Sequence, residues 1–256
     1  MISKGDFIKL SYTAKLEDGT VVDTTNEETA REYGIYNEGT KYGDIYVIVG
    51  ERHVVEGLDD DLEGKEVGYK GEVLVPPEKA FGSYDPDKKE VLSLSKFREK
   101  PRIGQRVRIG NRVGLVERII GRRAIVDFNH PLAGKSILFE YEIKERIEMP
   151  EDKIKAIFLI HSGLEVLNVK VEDNKAVIEV PNRAYFNQVF IISRFRIVDD
   201  IFKHLKLDEV RIFERFKREK EKDVKEPEEG SEEAKEGERE EKGEGEEKEE
   251  GEKVET

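Results

Sequence analysis

Side chains suited to making and breaking bonds are few in this chain of 256 residues, and they are scattered. It has no cysteine and no tryptophan, which excludes a thiol nucleophile, a disulfide framework and a thiolate zinc or iron–sulfur site. The four histidines, His53, His130, His161 and His204, have no HxH, HxxH or HExxH spacing. A phosphate-binding loop ending in Lys-Ser/Thr, a GxGxxG after a strand-like run and a GxSxG elbow are all missing. The expectation is no metal, no cofactor and no nucleophilic catalysis. What remains is charge and apolar surface. Residues 96–123 carry ten Lys/Arg against Glu99 and Glu117, a net of +8 inside a chain of net charge -13. Such a run could neutralise a nucleic-acid backbone. However, Phe97 is its single aromatic before Phe128 and the chain is acidic, so nucleic-acid or ribosome contact is the disfavoured reading beside a solvated basic face.

The elements that position these residues are legible as pattern. Phe7–Thr13 alternates, Glu17-Asp18-Gly19-Thr20 turns and Val21–Asp23 returns, the mark of a β-hairpin. Residues 26–44 are polar with three glycines and predict a long loop with one helical turn near Glu27–Tyr33. Tyr46–Gly50 predicts a strand, Val55, Leu58 and Leu62 mark a short helix stopped by Gly64, and Tyr69–Val75 predicts a strand ended by Pro76-Pro77. Between Tyr84 and Phe128 the β-like runs Val91–Ser95, Arg106–Ile109, Gly114–Ile119 and Ala124–Phe128 follow one another closely, and Ser136–Ile147 predicts one more strand. After Pro150, Ile154–Ile160 reads as a strand and His161–Val166 as a short helix. Val169–Val171 and Ala176–Val180 read as a hairpin around Asp173-Asn174, the apolar stripe of Arg183–Leu205 as a helix, and Val210–Phe216 as a closing strand.

Five motifs, in order, resemble those of the FKBP-type peptidyl-prolyl isomerases. Residues Tyr12–Asp23 (YTAKLEDGTVVD) resemble the YTGxLEDGxxFD hairpin, Val54-Val55-Glu56-Gly57-Leu58-Asp59 the VIxGWE helix start, and Leu62–Gly68 the following turn. Pro77–Gly82 is similar to PxxxAYG and Ile137–Glu142 to the terminal LxFDVEL strand. A sixth, Asp127–Lys135 (DFNHPLAGK), resembles the signature that follows the insert-in-flap module of SlyD-like members. The resemblance covers residues 1–148, and the extra C-terminal part is similar in layout to long archaeal-type members. It implies an α+β fold: an FKBP-like antiparallel half-barrel sheet wrapped on a short helix, with an inserted small β-rich domain and a C-terminal α+β domain. The implied boundaries are 1–85 with 128–148 for the isomerase domain, 86–127 for the insert, 150–216 for the C-terminal domain and 217–256 for a disordered acidic tail.

The implied activity fits a site without a nucleophile. Rotation about a prolyl amide is slow because of a barrier of ~18–20 kcal/mol. The twisted transition state has lost amide resonance and has a less polar carbonyl. A dry apolar pocket therefore favours the twisted form over the planar one. The resemblance assigns Leu58 to the pocket floor, where eukaryotic members have Trp, and Val54 and Val55 to the substrate-contacting pair. Tyr12, Phe139 and either Ile45 or Val47 become walls, Val22 stands for a family Phe, Asp23 lies near the twisting carbonyl, and Phe81 replaces a ligand-bonding tyrosine. Without the hydroxyl at 81 and the indole at 58, weaker macrolide binding is expected. On pattern alone, Tyr12, Val55, Leu58 and Phe139 read as core residues and Asp23 as a turn cap.

In the insert, Val107, Ile109, Val113, Leu115, Val116, Ile119 and Ile120 exceed what so small a module buries easily. Given the resemblance, Val107, Ile109, Leu115, Ile119 and Ile120 are expected to bind unfolded, proline-containing polypeptide clients and deliver them to the pocket. The alternative is a holdase or scaffold with a vestigial pocket. The wide apolar helix at 183–205 suggests a homodimer through the C-terminal domain. Residues 217–256 hold ten basic and nineteen acidic side chains with Val224, Ala234 and Val254 as their apolar ones, a composition that favours disorder and a tail that could compete with clients for the basic insert. Apolar runs such as Val189–Ile192 fall far short of the ~20 residues of a membrane span. The start Met1–Asp6 lacks an apolar signal region, so no membrane and a cytoplasmic location are expected. Two Met and two Gln beside abundant Lys, Glu and Ile hint at a heat-adapted source.

Overall fold

The structure, a computed structural model, describes residues 1–217. The disorder and competition expected of the acidic tail fall, from residue 218 onward, outside the described residues.

The largest sheet has five strands. The hairpin β1 (Phe7–Leu16) and β2 (Val21–Thr24) turns at Gly19, whose φ is +84, a backbone setting that glycine adopts without steric cost. β3 (Ile45–Ile48), β4 (Lys70–Val75) and β9 (Ile137–Ile147) complete it in the order β2-β1-β9-β4, with β3 pairing with the start of β1 on the same edge as β2. All its pairings are antiparallel. α1 (Glu27–Glu32) is a single capped turn whose Asn26 side chain accepts from Thr29 N–H. α2 (Glu56–Leu62) fills the concave face, where Ile8, Leu10, Leu58, Leu62, Ile137 and Ile143 are fully buried. Gly57 is needed for this contact, because a Cβ there would lie 2.4 Å from Val75 Cγ1.

Alternation along β1 turns Phe7 away from Ile8 and Leu10, and an extra residue in β9 opposite Lys9/Leu10 turns Ile147 the same way, into a second core that also holds Ile48. That core belongs to the C-terminal segment. Here two expectations fail: residues 150–162 form one helix, α3 (Pro150–Ser162), in place of a strand at 154–160 and a helix at 161–166. Pro150 occupies the first helical turn and Glu151 and Asp152 follow it, a good start for a helix. Ile154, Ile157 and Phe158 then fall on one buried face, and Gly163 ends the helix in the left-handed region at φ 62. The isoleucines suggest a strand, but their spacing and these caps outweigh β-branching. β10 (Asn168–Glu172) and β11 (Lys175–Val180) form the expected hairpin, with Asp173 and Asn174 both at positive φ. After a short turn of 3-10 helix, α4 (Gln188–His204) crosses to β12 (Glu209–Glu214), which pairs parallel to β11.

Residues 89–127 make a separate antiparallel sheet from β5 (Lys89–Ser93), β6 (Arg106–Ile109), β7 (Arg112–Ile120) and β8 (Arg123–Asp127), ordered β5-β8-β7-β6. Its stem is pinned: Asp85 N–H donates to Asn129 Oδ1 and Asn129 Nδ2 donates back to the Asp85 carbonyl. No helix among the described residues is long and apolar enough to cross a membrane.

Candidate active site

A hollow of about 370 Å³ opens between the hairpin, β3, the β3–α2 loop and the two loops that flank the insert. Tyr12 and Ala14 of β1 and Phe139 of β9 share the concave face of the sheet, since Ala14 is register partner to Phe139. Tyr12 and Phe139 pack edge-on with ring centroids 5.7 Å apart. Val22 and Asp23 come from the returning strand, Ile45 from β3, His53, Val54 and Val55 from the β3–α2 loop, Phe81 from the loop after β4, and Leu132 from the loop before β9. The lining is therefore apolar with three polar groups. The Tyr12 hydroxyl donates to Asp23 Oδ2 at 2.7 Å, and Asp23 Oδ1 accepts from Thr24 N–H. Burial and the neighbouring Asp23 push the Tyr12 hydroxyl well above the usual phenol range, so it remains a neutral donor.

The β3–α2 loop is held by a residue with no role in the sequence reading. Asp59, only 5 % exposed, accepts from Gly50 N–H and Arg52 N–H, each at 2.9 Å. Both residues sit at positive φ, +86 and 57. For arginine this setting is uncommon, and the carboxylate supplies a reason for it. The sequence signal available was Asp59 inside the Val54–Asp59 motif, directly after Leu58.

Seven of the eight expected pocket residues, Tyr12, Val22, Asp23, Val54, Val55, Phe81 and Phe139, meet around this hollow. Leu58 does not: it is fully buried in the core beneath α2 and lines no part of the hollow. A leucine at this position is short enough to be covered by its neighbours, which leaves it behind the wall instead of on the floor. Of the two alternatives at β3, Ile45 lines the hollow while Val47 is buried in the core. Ala14, His53 and Leu132 were missed. Leu132 lay inside the quoted DFNHPLAGK motif, and His53 immediately precedes the Val54-Val55 pair.

His53 meets His161 at the seam with the C-terminal segment. Its ring lies edge-on to that of His161 with centroids 5.9 Å apart, and His161 Nε2 is 2.5 Å from Asp200 Oδ2. His204 packs edge-on to Phe7, with Nε2 3.7 Å from Glu51 Oε1. Burial lowers the pKa of both His53 and His204 below the ordinary imidazole value. Among the described residues, no group of three or more His, Asp or Glu is placed to hold a metal ion.

Of the five insert residues expected to meet clients, only Leu115 and Ile120 are exposed. Val107, Ile109 and Ile119 are partly buried against the insert's own core of Leu92, Val116, Ala124 and Val126. Strand alternation decides this, because successive side chains take opposite faces. Val107 and Ile109 still border a basic hollow with Lys96, Phe97, Arg98 and Arg108.

An antiparallel half-barrel on a short helix is the fold implied by the motif order, and comparison with known proteins agrees with it. A family described as FKBP-type peptidyl-prolyl cis-trans isomerase matches residues 1–100, and one described as FKBP26_C-terminal matches residues 150–217. The chain is 32% identical over 148 residues to the short-type peptidyl-prolyl cis-trans isomerase of Methanocaldococcus jannaschii, spanning 57% of this chain and 94% of that one. It is 30% identical over 148 residues to SlyD of Haemophilus influenzae (56% and 70%) and 30% identical over 151 residues to the FKBP-type 16 kDa isomerase of Escherichia coli K12 (56% and 93%). The chain belongs to the FKBP-type peptidyl-prolyl cis-trans isomerase family of enzymes. Within that family its relatives place it with the SlyD-like members.

Proposed function

We propose that this chain catalyses cis–trans rotation of X–Pro bonds in unfolded or partly folded polypeptides, and that its insert captures those clients. The observation that carries the reading is the apolar hollow itself. Val22, Ile45, Val54, Val55, Phe81, Leu132 and Phe139 surround a space of about 370 Å³, with the Tyr12–Asp23 pair as its hydrogen-bonded polar edge. With a prolyl ring seated there, the carbonyl of the preceding residue loses its water, which raises the planar amide relative to the twisted form. Asp23, near that carbonyl, disfavours the build-up of negative charge on oxygen that planarity requires.

Delivery from the insert has a geometric basis. A second hollow, of about 600 Å³, is lined by Val113 and Leu115 of the insert and by Phe128, His130, Pro131 and Ala133 of the segment that follows it. His130 stacks on Phe81 at 4.5 Å, so that one ring pair borders both hollows. The neighbouring Leu132 lines the first hollow, while Pro131 and Ala133 line the second. A client held by the insert is thus already beside the pocket, and its effective concentration there is raised.

The test is a protease-coupled proline tetrapeptide assay run beside proline-limited protein refolding, with and without residues 86–127. The pinned stem at Asp85 and Asn129 gives the deletion a defined junction. Deletion should leave tetrapeptide turnover near the wild-type value and cut refolding catalysis strongly. Equal losses on both substrates would remove the delivery reading, and no acceleration of the tetrapeptide by the intact chain would favour the holdase alternative.

We also propose that the C-terminal segment pairs two copies of the chain. Tyr185, Phe186, Val189, Ile192 and Phe195 are all exposed along α4 and the turn before it, a contiguous apolar stripe of the kind that marks an interface. Ile192→Glu with Phe195→Glu should convert a dimer to a monomer in sedimentation. A wild-type monomer at micromolar concentration would refute the pairing.

A further inference from the structure

The outer face of the insert sheet mixes two chemistries in a regular way. Arg106 is register partner to Leu115 and Arg108 to Val113. Arg118 opposes Ile125, Ile120 opposes Arg123, and Ile125 in turn opposes Val91. Directly opposed residues share a face, and the core residues Leu92, Val116, Ala124 and Val126 take the other one. Val91, Val113, Leu115 and Ile120 are between 45% and 59% exposed on this outer side. The guanidinium groups between them are not neutralised from within. Among the described residues, the ion pairs of the insert join Lys89 to Glu117 and Arg112 to Glu90, and Arg106, Arg108, Arg118 and Arg123 make none. Two carboxylates lie on this side and both have partners: Glu117, at the bulge of β7, pairs with Lys89, and Asp127 accepts from the Tyr84 hydroxyl and from Asn129.

An exposed aliphatic patch alone would take any unfolded chain. Four unneutralised arginines set among the aliphatics change that, since a lysine-rich segment would meet like charges and a neutral one would leave the guanidinium groups partly desolvated without partners. Arginine stems also add apolar contact while their heads keep a hydrogen-bonding fork for carboxylates. Single-stranded nucleic acid would gain from the charge, but the ring at this face, Tyr84, sits at its Lys89–Asp127 end, so successive bases would find no run of stacking platforms along the arginines. We infer that the insert selects polypeptide segments in which carboxylates are interspersed with aliphatic side chains, the carboxylates meeting Arg106, Arg108, Arg118 and Arg123 and the aliphatics meeting Val91, Val113, Leu115 and Ile120. This rests on the reading of the insert as a client-capturing module, and it adds a charge class to the clients.

The test uses the full chain and three labelled, unstructured peptides sharing one pattern of Leu and Val, with the remaining positions all Glu, all Gln or all Lys. Fluorescence anisotropy should give the Glu peptide about a tenfold or greater advantage over the Lys peptide, the combined effect of several exposed ion pairs. Raising salt toward ~1 M should erase it. Arg118→Glu with Arg123→Glu, its fold checked by circular dichroism, should lose the preference while Gln-peptide affinity changes little. Three equal affinities in the wild type would overturn the charge selection and leave client capture standing. No binding of any peptide would overturn client capture itself. An oligouridylate bound more tightly than the Glu peptide would assign the face to nucleic acid instead.

Discussion

Asp59 should be the most consequential single residue for the pocket that does not touch it. Its carboxylate is almost wholly buried and accepts two backbone N–H groups, those of Gly50 and Arg52. These bonds fix the loop that carries His53, Val54 and Val55. In Asp59→Ala both donors lose their partner in a buried setting, at ~1–3 kcal/mol each, and Arg52 keeps a left-handed backbone that costs roughly 1 kcal/mol with nothing to hold it. A loss of about 2–4 kcal/mol follows, after allowing for partial relaxation of the loop. Asp59→Asn retains one acceptor oxygen and should lose roughly half as much. Urea unfolding gives the stability change, and the protease-coupled tetrapeptide assay gives the consequence for catalysis: kcat/KM should fall several-fold, in the order Ala below Asn below wild type. If Asp59→Ala unfolds at the wild-type urea midpoint with unchanged kcat/KM, the loop is held by something else and the reasoning fails.

Three further outcomes are expected. Because burial lowers the pKa of His53 and His204 in the folded chain, the unfolded chain binds more protons just below the ordinary imidazole value of ~6.5. Stability should therefore be full above that pH, fall as pH drops through it and level off below the folded-state pKa. A urea midpoint identical at pH ~7.5 and ~5.5 would contradict this, and His53→Gln with His204→Gln should flatten the profile. Gly57→Ala should destabilise by ~1–3 kcal/mol despite the better helix propensity of alanine, since its Cβ would be 2.4 Å from Val75 Cγ1; a raised melting temperature would disprove the clash. Macrolide inhibitors of the family should bind weakly, because Phe81 offers no hydroxyl donor, a contact worth ~0.5–1.5 kcal/mol; nanomolar affinity by calorimetry would refute that.

The catalytic half of this chain is legible because its signals are local and agree with one another. Alternation, the Asp18-Gly19 turn, Gly64 and Pro76-Pro77 each mark a boundary within a residue or two of where β1, β2, α2 and β4 begin or end. The pocket is legible only as a set of motif positions, and it fails at Leu58, where burial depends on how far one side chain reaches. Asp59 was missed because its partners are backbone groups, which sequence does not display. In the C-terminal segment, Ile154, Ile157, Phe158 and Ile160 suit a strand by type and a helix by spacing. The decision fell to Pro150 and Gly163, whose capping roles were not weighed. His53 and His161, far apart in sequence, meet in space because the β3–α2 loop and α3 come from different parts of the chain.

That meeting gives the C-terminal segment a physical hold on the catalytic pocket. The β3–α2 loop is gripped from two sides. Asp59 draws Gly50 and Arg52 toward α2. Glu51 pairs with Lys203 of α4 at 2.6 Å, and His53 packs on His161 of α3, itself held by Asp200 of α4. Residues 50–53 are therefore shared between the two cores, and the pocket wall at Val54 and Val55 begins where that sharing ends. The hydrophobic contact of Phe7, Ile48 and Ile147 with α3 makes the seam a packed interface, and packed interfaces transmit displacement because they have few voids to absorb it. Through Lys203 to Glu51, and through Asp200 and His161 to His53, α4 is tied to the loop that carries Val54 and Val55.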